Sequence, residues 1–217
     1  MNVSRFVVAV FALMCSAVVV AQVSTYTNRA AALKDLTAPE ATRRADAVIW
    51  LAANGLPADE EPLRKRLTDD NPIIRGLAEQ GVWILWSRSG DDKIDAMMTK
   101  GAEQVQAGKL DEAIATYSEI IRRKPAFAEG WNKRATVYFI AGDFRHSLAD
   151  CEQVMKRNPN HFGALAGYGQ IYFQMEQYEK AISYWKRALK ANPNMVSVED
   201  NIEIAEKLVA ERRRNTI

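Results

Sequence analysis

From residue 94 onward the chain repeats one arrangement of apolar, small and polar positions. Pro125, Pro159 and Pro193 stand 34 residues apart, and the stretches they close run 94–127, 128–161 and 162–195. In the middle stretch Trp131, Ala135 and Tyr138 recur at the three-to-four-residue spacing of one helical face. Gly142-Asp143 interrupts the pattern, and Ser147 and Cys151 resume it up to Asn158-Pro159. The third stretch carries Leu165, Tyr168-Gly169 and Tyr172, then Ala181 and Trp185, then Asn192-Pro193. The first starts more weakly, with Met97, Lys100, Gly101 and Gln104, and rejoins the pattern at Gly108, Ala113, Tyr117 and Pro125. Each stretch therefore predicts two antiparallel helices. The small residues Gly101, Ala135 and Gly169, with Ala113, Ser147 and Ala181, allow close approach, while Trp131, Tyr138, Tyr172 and Trp185 fill the layers. Each proline lacks an amide hydrogen for the helical ladder and stops the second helix.

The flanks are helical in pattern too. Val198, Ile202, Ala205 and Val209 form one apolar face with Glu199, Asp200, Glu203 and Lys207 between them, as expected of a terminal capping helix over 196–217. Before residue 94, Pro39 starts a segment reaching Ala52 and Ala53, Asp59-Glu60-Glu61 heads a second through Leu67, and Pro72 opens a third through Trp86. Its apolar face, including Trp50, Trp83 and Trp86, needs cover, and the first helix after residue 94 is the expected source, giving one continuous stack.

Period and residue types together make 94–195 resemble the tetratricopeptide repeat (TPR) family, read as three repeats. The segment Leu67-Thr68-Asp69-Asp70-Asn71-Pro72-Ile73-Ile74-Arg75, followed by Ala78, resembles the turn of a HEAT repeat, so 22–93 is expected to be a HEAT-like α-hairpin module whose Asp and Arg tie the turn down. The fold class expected is all-α, a right-handed helical-repeat solenoid of three helix pairs with a capping helix, preceded by that module.

Composition adds a compartment. The first residues hold one charge, Arg5, before an apolar run from Phe6 to Val20 that ends in Ala21. This predicts a signal peptide over 1–21, cleaved near Ala21, and hence a periplasmic or otherwise exported protein. The alternative is an uncleaved membrane anchor, against which the short apolar run argues, since roughly 20 residues are needed to span a bilayer. Cleavage would lower the net charge from +2 to +1 and leave Cys151 as the one cysteine, so no internal disulfide would support the fold. A near-neutral chain has no global field for nucleic acid.

The candidate chemistry is sparse. His146 and His161 have no second ligand at metal spacing, and Ser147, His146 and Asp143 share one turn where a catalytic triad converges from separate elements. Asp69-Asp70, Asp91-Asp92 and Asp143 precede helices and read as caps. Gly167-x-Gly169 lies inside a helix and so is no phosphate loop. Arg122-Arg123-Lys124, Lys156-Arg157 and Lys186-Arg187 end second helices, where the helix dipole favours cations. Arg212, Arg213 and Arg214 read the same way, with a weak anion contact as the alternative. No enzyme activity, cofactor, metal or nucleic acid is expected.

The resemblance implies a concave groove lined by the first helix of each pair. Carried onto this chain, its lining is Asp95, Met98, Ala102, Val105 and Gln106, then Glu129, Asn132, Thr136, Phe139 and Ile140, then Gly163, Ala166, Gln170, Phe173 and Gln174. The residues expected to bind a protein or peptide are Met98, Val105, Asn132, Thr136, Phe139, Ile140, Gln170, Phe173 and Gln174. The subgroup that grips a terminal carboxylate would need cations where this chain has Met98, Ala102, Lys133, Gly163 and Gly167, and only Lys133 is one. The expected role is a non-enzymatic adaptor or scaffold holding a polypeptide in an open groove. The alternatives are a structural module that associates with itself, and a groove filled by the chain's own flanking helices.

Overall fold

The computed structural model describes residues 26–215, so the segment read as a signal peptide lies outside the described residues. Among them there are eleven α-helices and no strand. They are α1 (Arg29–Asp35), α2 (Ala41–Asn54), α3 (Glu60–Arg64), α4 (Pro72–Ser87), α5 (Asp92–Gln106), α6 (Leu110–Arg123), α7 (Ala128–Ile140), α8 (Phe144–Arg157), α9 (Phe162–Gln174), α10 (Tyr178–Ala191) and α11 (Val196–Asn215). Short 3-10 turns at Pro57–Asp59 and Lys65–Thr68 flank α3.

Helices α5 to α11 form a solenoid in which each packs on the next, the pairs being α5 with α6, α7 with α8 and α9 with α10. The Asp91 and Asp143 carboxylates accept from backbone amides at the starts of α5 and α8, as their places before helices predict. The close approach inferred from small residues is literal at Gly169, where an added Cβ would stand 2.2 Å from the buried Trp185 ring. Within each pair the chain reverses at equivalent positions 108, 142 and 176, with φ of 72°, 78° and 57°. The first two are glycines and the third is Glu176, held in the left-handed region that disfavours a side chain. Arg212 of α11 donates to the Glu176 backbone oxygen at 2.9 Å, pairs with its carboxylate and lies over the Tyr178 ring, so the last helix clamps this turn.

The amino-terminal helices have their own core of Val48, Leu51, Leu63, Leu67, Ile74, Ala78, Val82 and Leu85. Asn71, with Pro72 in the first turn, caps α4 through its side chain. Asp69, expected as a helix cap, does something else. Its buried carboxylate takes a two-pronged bond from Arg44 at 3.0 and 2.9 Å, while its backbone oxygen accepts from Arg75 at 2.9 Å. Burial pushes the Asp69 carboxyl up, but the Arg44 guanidinium and the Asn71 amide outweigh it and hold it at about 2. Arg44 also donates to the Ala38 oxygen, so one buried cation ties three segments together.

The expected end-to-end stacking of this module on the first repeat helix is not what covers the tryptophans. Trp83 and Trp86 meet His161 and Phe162 at the start of α9 instead. Helix α4 runs along the row of turns between helix pairs. Near its end Lys124 donates to the Ser89 oxygen; in the middle Trp86 lies on His161; before its start the Asn194 amide donates to the Leu67 oxygen at 2.8 Å. The physical reason lies in the repeat itself. Phe127, His161 and Met195 occupy the same place after successive prolines, 34 residues apart, each at a turn between helix pairs. Phe162 at one turn and Ala191 with Met195 at the next join the core of the amino-terminal helices, so two turns remote in sequence seat one module.

Candidate binding cleft

Helices α5, α7 and α9 carry the residues expected to line a groove. Of the residues expected to line it, Ile140 is 48% exposed. Met98, Val105, Thr136, Phe139, Gln170, Phe173 and Gln174 are half-buried, and Asn132 is buried. Met98 and Val105 pack against the cluster of Ile94, Ala113 and Tyr117. Phe139 lies 5.8 Å from Phe144, and Phe173 lies 5.6 Å from Trp185 and 5.3 Å from Tyr178, so each ring turns one side toward its own pair. Thr136 spends its hydroxyl on the Asn132 backbone oxygen at 3.0 Å.

The starts of α7 and α9 are covered. The Glu129 and Gly163 positions, second in their repeats, face α4. A Cβ at Gly163 would stand 2.3 Å from the Trp83 ring, so glycine is what admits the tryptophan. Glu129 is buried, with its carboxylate 3.1 Å from the Lys133 ammonium and 3.1 Å from His161 Nε2, and it accepts from the Asn132 amide at 3.1 Å. Burial pushes this carboxyl up, and the charge of Lys133 together with the His161 bond outweighs burial, leaving it well below the usual carboxylate range. His161 Nδ1 accepts from the Ala164 amide at 3.1 Å, which leaves the proton on Nε2 to be donated to Glu129. The histidine thus caps α9, holds Glu129 and stacks under Trp86.

Sequence reasoning treated His161 as an isolated histidine and Glu129 as groove lining, since neither has a chemical neighbour along the chain. The available signal was the Trp83, Trp86 pair at i, i+3 beside an unusual histidine at a turn between helix pairs. Next to this junction a cleft of about 230 Å³ remains between Pro57, Glu60, Trp86, Lys124 and Phe127. At the far end Arg213 lies 4.0 Å from Glu179, so two of the three terminal arginines are engaged with carboxylates of the chain.

Models of the tetratricopeptide repeat match residues 98–144 and 165–195. A TPR repeat-containing protein of Rhizobium etli is 34% identical over 67 residues, 31% of this chain and 33% of that protein, so the match spans about a third of the relative's length. Among solved structures, the first TPR of Spaghetti (RPAP3) bound to the HSP90 peptide SRMEEVD is similar with a TM-score of 0.53 and 24% identity, over 55% of this chain and 94% of that one. The Sgt2 TPR domain from Aspergillus fumigatus gives 0.55 and 20%, over 57% and 83%. The TPR2B domain of yeast Sti1 in its pHsp70 complex gives 0.52 and 19%, over 54% and 99%. The fold of these neighbours is the all-α repeat solenoid seen here, and two segments of this chain, 98–144 and 165–195, match models of the tetratricopeptide repeat.

Proposed function

We propose that this protein is an exported, non-enzymatic adaptor that holds a segment of another polypeptide against the inner side of its repeats. The observation that carries the reading is Ile140, a large apolar side chain 48% exposed on the inner helix α7, with half-buried Met98, Val105, Phe139 and Phe173 on the same side. Two neighbours of the same fold are complexes, one with an HSP90 peptide and one with pHsp70. The side chains with candidate chemistry are spent on structure: Asp91 and Asp143 cap helices, and His161 and Glu129 hold the junction. Export rests on Arg5 and the Phe6–Val20 run. In this reading 22–93 is a HEAT-like module, 94–195 holds three repeats, and 196–217 caps them.

Covering a side chain such as Ile140 contributes about 1.5–3 kcal/mol before ordering costs, so a few such contacts suffice for moderate affinity. The test is Ile140→Asp in the exported protein, with a photo-crosslinker placed at the same position in the parent. Loss of the crosslinked polypeptide with an unchanged melting curve is expected; undiminished capture by the aspartate variant would remove the reading.

A further inference from the structure

We infer that α11 pairs antiparallel with α11 of a second copy of this chain, giving a weak, salt-sensitive two-fold dimer at the carboxy-terminal end of the solenoid. This goes beyond the adaptor reading and uses a different surface. An open groove of about 580 Å³ lies between α10 and α11, lined by the apolar Ile182, Val209 and Ala210 and by Glu179, Glu206, Arg213 and Arg214. Two ion pairs cross between its helices, Lys186 with Glu206 at 3.0 Å and Arg213 with Glu179 at 4.0 Å. The exposed stripe of α11 beside the groove is Glu199, Glu203, Glu206, Ala210 and Arg213, spaced four and three residues apart as in a helix-pairing seam, with Asp200 and Arg214 next to it.

The charges of this stripe decide what it receives. Its first half is acidic and its end is basic. Among the described residues Glu199, Asp200 and Glu203 have no ion-pair partner, and neither has Arg214. The helix dipole favours acids at the start and cations at the end, but it acts within the terminal turns, and Glu203 lies beyond the first turn of a helix that begins at Val196. The unpaired acid Glu199 and the Arg213, Arg214 end stand about 21 Å apart along the helix, too far to neutralise each other within one chain. A partner must therefore offer cations to the first half and carboxylates to the last. Helix α11 run in the opposite direction has that order. A two-fold axis near residues 206 and 207 sets Glu199 and Asp200 opposite the second copy's Arg213 and Arg214, and Glu203 opposite its Ala210, a side chain small enough to let the helices approach. A parallel pair would set acid against acid. Exposed ion pairs each contribute little, so the dimer is weak and depends on low ionic strength.

The experiment is sedimentation equilibrium of the full chain over a concentration series at about 50 mM and about 500 mM salt. Association at the lower salt and its loss at the higher are expected. Two charge-reversed proteins, one carrying Arg213→Glu with Arg214→Glu and the other Glu199→Arg with Asp200→Arg, should each associate at least about tenfold more weakly than the parent, and an equimolar mixture of the two should regain the parent's association, because each then supplies the charge the other needs. Ala210→Glu, an exposed change that sets a carboxylate against Glu203, gives the same fall where a double change disturbs folding. A monomer at every concentration in low salt, association that no reversal weakens, or a mixture that fails to regain it overturns the α11 pairing. None of these changes touches Ile140, so the adaptor reading is tested apart.

Discussion

Trp86 lies flat on His161, ring centroids 4.1 Å apart and planes 17° apart, and this contact joins the amino-terminal helices to the turn between the second and third helix pairs. Trp86 also touches Phe162 at 4.7 Å and Trp83 at 5.2 Å, so one indole serves three partners. Trp86→Ala is expected to cost about 3 kcal/mol, the lower end for truncating a packed tryptophan, because this ring keeps an exposed edge. Urea unfolding of the full chain measures it. A loss under about 1 kcal/mol would mean that the module is anchored elsewhere along the row of turns.

The Glu129 carboxyl titrates lower in the folded chain than its ordinary 4.5. A group depressed by folding contributes stability that is present above its unfolded value and is lost as the pH falls through the folded one. Stability should therefore drop between about pH 4.5 and pH 2, and Glu129→Gln should flatten that drop while costing about 1.5–3 kcal/mol at neutral pH, the range for a hydrogen bond to a charged group. Melting temperatures of the two proteins across this range decide the matter; parallel curves would show that Glu129 is not the titrating group.

Two glycines four residues apart on α9 should respond oppositely to alanine. At Gly163 the new methyl would strike Trp83, so Gly163→Ala should destabilise by about 1–3 kcal/mol and alter near-ultraviolet dichroism as the indole moves. At Gly167 the nearest atom is Cys151 Sγ at 3.9 Å, an ordinary contact, and Gly167→Ala should stabilise by about 0.5–1 kcal/mol through helix propensity. Similar losses at both sites would contradict the placement of Trp83.

Glu176 offers a third contrast. Gly108 and Gly142 hold the equivalent left-handed positions, so Glu176→Gly should relieve about 1 kcal/mol of backbone strain. The exposed pairing with Arg212 that it gives up has little weight in solution. Calorimetry should find a higher melting temperature for Glu176→Gly. A lower one would show that the Arg212 clamp outweighs the strain.

Much of the solenoid could be read from residue types alone. The prolines at 125, 159 and 193 mark the helix ends because a missing amide hydrogen is a local property, and Gly169 announces the nearness of Trp185 because only a small residue admits it. Asp91 and Asp143 cap as expected for the same local reason. Asp69 escaped that logic. The same residue type before a helix was drawn into a pair with Arg44, 25 positions away, and only the resemblance to a HEAT turn, with its Asp and Arg tying the turn down, pointed beyond capping.

What the sequence by itself determined, then, is which faces are apolar and where helices begin and stop, since periodicity and capping act within a few residues. Only the tertiary structure decided what each apolar face meets. Trp83 and Trp86 needed cover, and nearness along the chain pointed to the first repeat helix, whereas the fold supplies His161 and Phe162. The surface of His161, Phe162 and Met195 that meets the amino-terminal helices exists only once the repeats have stacked, because stacking brings turns 34 residues apart side by side. The same holds for Glu129, whose burial beside Lys133 and His161 follows from α4 lying across the turns.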